Sequence, residues 1–352
     1  MSKLLEFFTR ICIFFFFCFI KSGNTQNVLN CDICPSLGLS GRLWVTNKNG
    51  NSISVISLRT GKHLISYPTL TSPHELALSP NERLIATANY GHRPAFITIF
   101  NTETSFRRSI ELTNYTAVHG LKFIGNEKLI ITDEETKNIL IFNLKFEEIE
   151  KVIDTSPSPC HLVIIDKIKN LAYGTDRTNG KLVIIDYEKG EVIDFKESGK
   201  GAEGIDKKNN EIWVANRDED TISIFENGKI KKEIQLETKD FEFQKKLNSS
   251  TFPIRVAFSE DEFHRVIIPN GISGDATVFD SKSYEEITRI SFEKPNQPKP
   301  FPCGILLIKE YGFISNCGSN TISIISLKTD KIIGEIVGNF LNENDGMVYT
   351  KH

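Results

Sequence analysis

The chain has 352 residues, with 42 Lys+Arg against 45 Asp+Glu for a net charge of −3, and 39% of its residues are hydrophobic. Slight acidity without a basic, aromatic-interleaved stripe argues against nucleic-acid partners, and the apolar content is that of a folded protein rather than a disordered one. The length exceeds what one hydrophobic core usually serves, so the core is expected to grow by repetition.

Residues 1–26 open with Met1-Ser-Lys3, continue through the ten apolar residues Ile11 to Ile20, and end in a polar stretch. Spanning a bilayer takes about 20 apolar residues, whereas a basic start, a short apolar run and small residues after it describe a secretory signal peptide. No later segment is apolar for long enough to cross a membrane. The mature chain is therefore expected to be extracytoplasmic, secreted or periplasmic, and monomeric.

Residues 27–40 read as an N-terminal arm. It carries Cys31-Asp-Ile-Cys34, whose spacing lacks the following His of covalent haem attachment. A local disulfide and a pair of thiols in a flexible arm both remain open. Beyond the signal, Cys31, Cys34, Cys160, Cys303 and Cys317 remain, an odd number, and Cys303 and Cys317 fall on one rim of one repeat, where they could bridge. Asn114-Tyr-Thr116 and Asn248-Ser-Ser250 match the N-glycosylation acceptor pattern.

From residue 41 to 352 one unit recurs. In its clearest copy, Gly201 to Gly228, apolar residues alternate at period two and are interrupted by Lys-Asn-Asn, Arg-Asp-Glu-Asp and Asn-Gly. Such runs are antiparallel strands joined by tight turns. The copies align on a third strand that ends at residues 57, 101, 143, 186, 226, 280 and 326, giving spacings of 44, 42, 43, 40, 54 and 46. A four-stranded unit at this period is a propeller blade.

An all-β, seven-bladed propeller is thus expected. The first copy lacks an opening strand, and Asn344-Asp-Gly-Met-Val-Tyr-Thr350 is an opening strand with nothing after it. The C-terminal strand should join the first blade and close the ring. Two insertions interrupt the repeat: residues 237–251, expected as a short helix or a loop, and the proline-rich Pro295 to Pro302, expected to be extended.

The chain resembles the YVTN-repeat β-propellers. The resemblance rests on Pro73-His-Glu-Leu-Ala-Leu-Ser-Pro80, Gly201-Ala-Glu-Gly-Ile-Asp206, Ile212-Trp-Val-Ala-Asn-Arg217, Phe252-Pro-Ile-Arg-Val-Ala-Phe258 and Ser273-Gly-Asp-Ala-Thr-Val-Phe279. It implies the seven-bladed fold and an extracytoplasmic setting, and no fixed activity. The Ser-Pro-Asp-Gly turn usual in that family appears here as Ser79-Pro-Asn-Glu82, so the member is a diverged one. Thr87-Ala-Asn-Tyr-Gly91 is also similar to a blade motif of lactonase propellers related to 6-phosphogluconolactonase.

Chemistry should concentrate where first strands begin and second strands end. Second strands end on Asn47, Asn89, Asp133, Asp176, Asn216, Asn270 and Asn316, side chains suited to bonding backbone in a turn. On the first strands an apolar column, Leu76, Leu121, Leu162, Ile205, Val256, Ile305 and Met347, should pack between blades. One residue earlier four blades carry Gly120, Gly204, Gly304 and Gly346, and the other three carry Glu75, His161 and Arg255. One step further back stand His74, His119, Cys160, Glu203, Ile254, Cys303 and Asp345.

Glu75, His161, Arg255, His74, His119, Glu203 and Asp345 are therefore the expected ligand-binding ring. Arg255 offers a fork for a small anion. His74, His119 and His161 would be the ligands if a divalent metal is held. Water alone filling the channel is the plain alternative. No G-x-S-x-G, no phosphate-binding loop and no His-Glu metal spacing on a helix occurs, so serine hydrolysis has no support. Two functions remain: a non-catalytic binding or scaffold module for a small anionic ligand or a protein partner, and a metal-assisted hydrolase of lactonase type.

Overall fold

Strands of six or seven residues with buried interiors and polar ends can form only where tight turns reverse the chain. The Asn227-Gly228 turn shows how: φ is 51° and 73°, the left-handed pair that a two-residue hairpin needs. The structure is a computed structural model that describes residues 30–91, 93–236, 251–260 and 262–351. Residues 1–26, expected as a signal peptide, and nearly all of the 237–251 insertion lie outside the described residues, as does Asn248 of the second acceptor pattern.

Seven four-stranded antiparallel sheets stand in a ring, six of them built of four consecutive strands as the repeat predicts. Blade 1 is completed from the far end of the chain, in the order Asn344–Thr350, Arg42–Asn47, Ser52–Ser57, His63–Pro68. In that closure Trp44 faces Val348 and Val45 faces Met347 across the ladder, and the Trp44 Nε1–H donates to Thr350 Oγ1 at 3.1 Å. The inner strands of blades 2 to 5 are Pro73–Leu78, Val118–Phe123, Cys160–Asp166 and Ala202–Lys208. Blade 7 begins with Pro302–Ile308, whereas blade 6 keeps only Ala257–Phe258 as regular strand, preceded by an isolated bridge between Pro253 and Asn270.

Core lies between blades. Trp44, Ile53, Val55 and Tyr67 of blade 1 pack on Leu76, Ile85 and Phe100 of blade 2, and comparable clusters fill the other seams. Each large side chain so buried contributes roughly 1.5–3 kcal/mol. The apolar first-strand column does more than was expected of it. Besides packing, all seven of its residues line the central channel.

The glycine column sets how closely inner strands approach. A Cβ on Gly204 would lie 2.6 Å from Arg255 Cα, and one on Gly346 would lie 2.5 Å from the His74 carbonyl. Only a residue without a side chain lets adjacent blades converge this tightly.

The arm is not loose. Cys31 and Cys34 form a disulfide, a 3₁₀ turn spans Cys34–Leu37, and Cys31, Cys34, Leu37 and Leu39 are buried against Phe313, Ile324 and Ile336 of blade 7. Cys303 and Cys317 are also bridged, at a Cα–Cα distance of 6.2 Å, which leaves Cys160, buried, as the free cysteine among the described residues. The proline-rich segment is not extended throughout: a turn interrupts it, with Asn296 at φ 61°.

Candidate functional site

Two neighbouring positions at the ends of the second strands build the rim, an Asn/Asp in all seven blades and a hydroxyl in four. The Asn/Asp column is fully buried and closes turns. Asn216 Nδ2 donates to Thr221 Oγ1 at 3.0 Å and Ser223 Oγ at 2.9 Å, and Asn270 and Asn316 repeat the pattern. Asp133 instead accepts from the Ala117 N–H, and Asp176 accepts from Thr178 and Asn179. One residue earlier, hydroxyls reach across the seam to the next blade's rim. Thr46 donates to the His74 carbonyl, Thr132 to that of His161, Thr175 to that of Glu203 and Ser315 to that of Asp345, all at 2.7–2.8 Å. Four of the expected site residues are thereby held by backbone.

The structure brings all seven expected residues to one end of the channel, with Glu75 and Arg255 set one position deeper than the others. His161, expected in their column, stands instead in register with His74 and His119, because Cys160 pairs with Asp176 as Pro73 does with Asn89, and Leu162 takes the deeper place. Arg255 Nη2 hydrogen-bonds the Glu75 carboxylate, from blade 6 to blade 2 across the axis, and lies 3.8 Å from Asp345; its Nη1 lies 3.8 Å from Glu203. His119 Nε2 meets His74 Nδ1 at 3.1 Å, and His74 Nε2 meets Ser72 Oγ at 3.2 Å. The His119 and His161 rings stack with centroids 3.8 Å apart. His161 bonds through Nδ1 to Glu134, while its Nε2 lies 3.6 Å from Glu203.

Glu134 and its equivalents were missed in the sequence. They form a third column, one residue after the Asn/Asp column: Lys48, Tyr90, Glu134, Arg177 and Arg217. Arg217 pairs with Glu203 at 2.6 Å and Asp218 at 3.0 Å, Arg177 with Glu134 at 3.0 Å and Glu203 at 3.9 Å, and Lys48 with Glu343 at 3.1 Å and Asp345 at 3.6 Å. The Tyr90 ring sits 5.1 Å from His74 and 5.0 Å from His119. The available signal was the same repeat register, read one position further.

Burial and pairing fix the charge states. Burial pushes the His74 imidazole down to about 3 and the His119 imidazole well below its usual range, so both are neutral near pH 7. Burial alone would raise Glu134 and Glu203, but hydrogen bonds from His161 and the nearby arginines outweigh it and hold both carboxyls low. Burial opposes the Arg255 charge, yet Glu75, Asp345 and Glu203 together raise its pKa.

Beneath this network the channel encloses about 590 Å³. Glu75 and Arg255 line it near one end and the apolar ring forms its wall; Lys122, Lys207, Lys309, Asp206 and Glu260 lie toward the other end. His74, His119, His161, Glu203 and Asp345 sit outside its lining. His119 and His161 are each only 3% exposed.

No family model matches the chain, and no curated protein matches it in sequence. Solved structures do match. A functionally unknown protein from Desulfotomaculum acetoxidans superposes with a TM-score of 0.69 at 14% identity, over 88% of this chain and 99% of that one. Hydrazine synthase of Kuenenia stuttgartiensis gives 0.66 at 14% identity, and the periplasmic gluconolactonase PpgL of Pseudomonas aeruginosa gives 0.70 at 10%, both with the same coverage. These likenesses show a β-propeller. At such identities they carry the fold alone.

Proposed function

We propose that the chain is a non-catalytic binding propeller of the extracytoplasmic YVTN kind, taking a small ligand with an apolar body and an anionic head in its central channel. The observation that carries this reading is the 590 Å³ cavity, walled by seven apolar side chains and carrying Arg255 near one end. Its volume falls within the roughly 300–1,000 Å³ of small-molecule sites, which are mostly apolar with a few convergent polar groups. A ligand carboxylate would take the place of Glu75 on the Arg255 fork, a pairing with favourable bidentate geometry. The two disulfides are consistent with an oxidising compartment.

Calorimetry with a panel of small carboxylates tests this. Arg255→Lys keeps the charge but loses the fork, and is expected to weaken binding about tenfold or more, the scale of one lost charge-assisted hydrogen bond. Unchanged affinity in that variant overturns the Arg255 contact, and no binding to the unaltered protein removes the ligand and leaves a scaffold with a solvated channel.

One observation favours a second reading, metal-assisted hydrolysis of lactones. His119, Glu134 and His161 offer ligand atoms within 4.8 Å of one another, and a cation there would activate water or polarise a carbonyl. Hydrolysis of a lactone panel by metal-loaded protein would support it. The burial of both histidines, away from the cavity, makes it the second choice.

A further inference from the structure

We propose that the charged end of the propeller holds one divalent cation of the class that favours imidazole nitrogen, such as zinc, on His119, Glu134 and His161. Three independent observations converge on it. The three side chains present ligand atoms within 4.8 Å of one another. The Nδ1 of His119, a residue 3% exposed, has no hydrogen-bond partner among the described residues. A buried nitrogen left unpaired costs roughly 1–3 kcal/mol and calls for an occupant.

The third observation is charge. Ion pairs join the cations Lys48, Arg177, Arg217 and Arg255 to six carboxylates, those of Glu75, Glu134, Glu203, Asp218, Glu343 and Asp345. Four positive against six negative charges leave an excess of two negative charges, leaving the histidines out of the count. A divalent cation would restore balance.

The expected metal set needs one exchange. His74 is not a ligand but the group that orients one. If its Nε2–H donates to Ser72 Oγ, its Nδ1 accepts from the His119 Nε2–H, and the His119 Nδ1 lone pair is left bare. This is the outer-shell arrangement that fixes the tautomer of a ligating histidine. Glu134 takes the third place: a cation would replace the proton shared between Glu134 and His161, and Arg177 can keep its contact with Glu203. Two nitrogens and one carboxylate oxygen suit zinc better than magnesium or calcium, which prefer all-oxygen sites.

The site does not depend on the channel ligand and does not require catalysis. With no turnover it would still join blade 3, which carries His119 and Glu134, to blade 4, which carries His161.

The test is titration of chelator-treated, tag-free protein with zinc chloride and, separately, cobalt chloride. One equivalent is expected to bind and to raise the melting temperature, and cobalt should give visible bands of a nitrogen- and oxygen-ligated ion. His119→Ala and Glu134→Gln should each weaken zinc binding about a hundredfold, and His74→Gln about tenfold. Imidazole ¹⁵N resonances of the unaltered protein give a variant-free reading, with zinc expected to shift the Nδ1 signal of a single strongly affected histidine pair. Absence of uptake, or uptake that leaves the histidine resonances unmoved or survives in both ligand variants, overturns the site. That failure would also remove the hydrolase reading but would leave carboxylate binding in the channel untouched.

Discussion

Arg255 shows what a sequence discloses about a single residue and what it withholds. Its position was legible, because it stands in a column where four of the seven blades carry Gly. Its partners were not, since Glu75 lies 180 residues away and meets it only because blades 2 and 6 face each other across the axis. Read alone, Arg255→Met should spare the fold. In the structure it strands Glu75, Glu203 and Asp345 around a vacated charge, and a loss of about 3–5 kcal/mol is expected in urea denaturation. Asp206 gives a residue-scale pH signature. Burial raises its carboxyl above the ordinary value, so the native state binds more protons than the unfolded chain between that value and the raised one. Stability from this group is therefore lost as pH rises through that window. Asp206→Asn keeps the acceptor for the Phe258 N–H, 2.9 Å away, and its melting temperature should gain on the parent's as pH goes from about 4 to 7.

At the scale of an element, the strands were legible because period-two alternation and Asn/Gly turns are local signals. The third strands match the structure in every blade. Blade 6 was the exception: Arg255 was placed on a regular first strand, but regular pairing there is confined to Ala257–Phe258. The Asn/Asp column was read as bonding backbone in a turn; Asp133 and Asp176 do so, whereas Asn216 binds the hydroxyls of Ser198, Thr221 and Ser223 instead. Replacing Asn216 by Ala would leave Ser198, Thr221 and Ser223 short of partners in a buried turn. The expected cost is roughly 1–3 kcal/mol, read as a lowered denaturation midpoint with an unchanged slope. The third column, Lys48 to Arg217, went unread because its residue types share no single chemistry; only their common register joins them.

For the whole molecule, the seven-fold ring and its closure by the C-terminal strand were both legible, the second from an opening strand missing at one end and left over at the other. Deleting residues 344–352 would remove that strand from blade 1 along with Asp345 from the ionic network. Insoluble protein or a melting temperature lower by ten degrees or more is expected; unaltered melting would refute the role of this strand. The same closure orders events during biosynthesis. Six blades consist of consecutive strands and can assemble as each leaves the ribosome, but blade 1 must wait, its inner edge open, until every other blade has been made. A chain of this design therefore exposes one unpaired strand edge from its earliest blade to its last strand, and that edge is where a chaperone would have most reason to act.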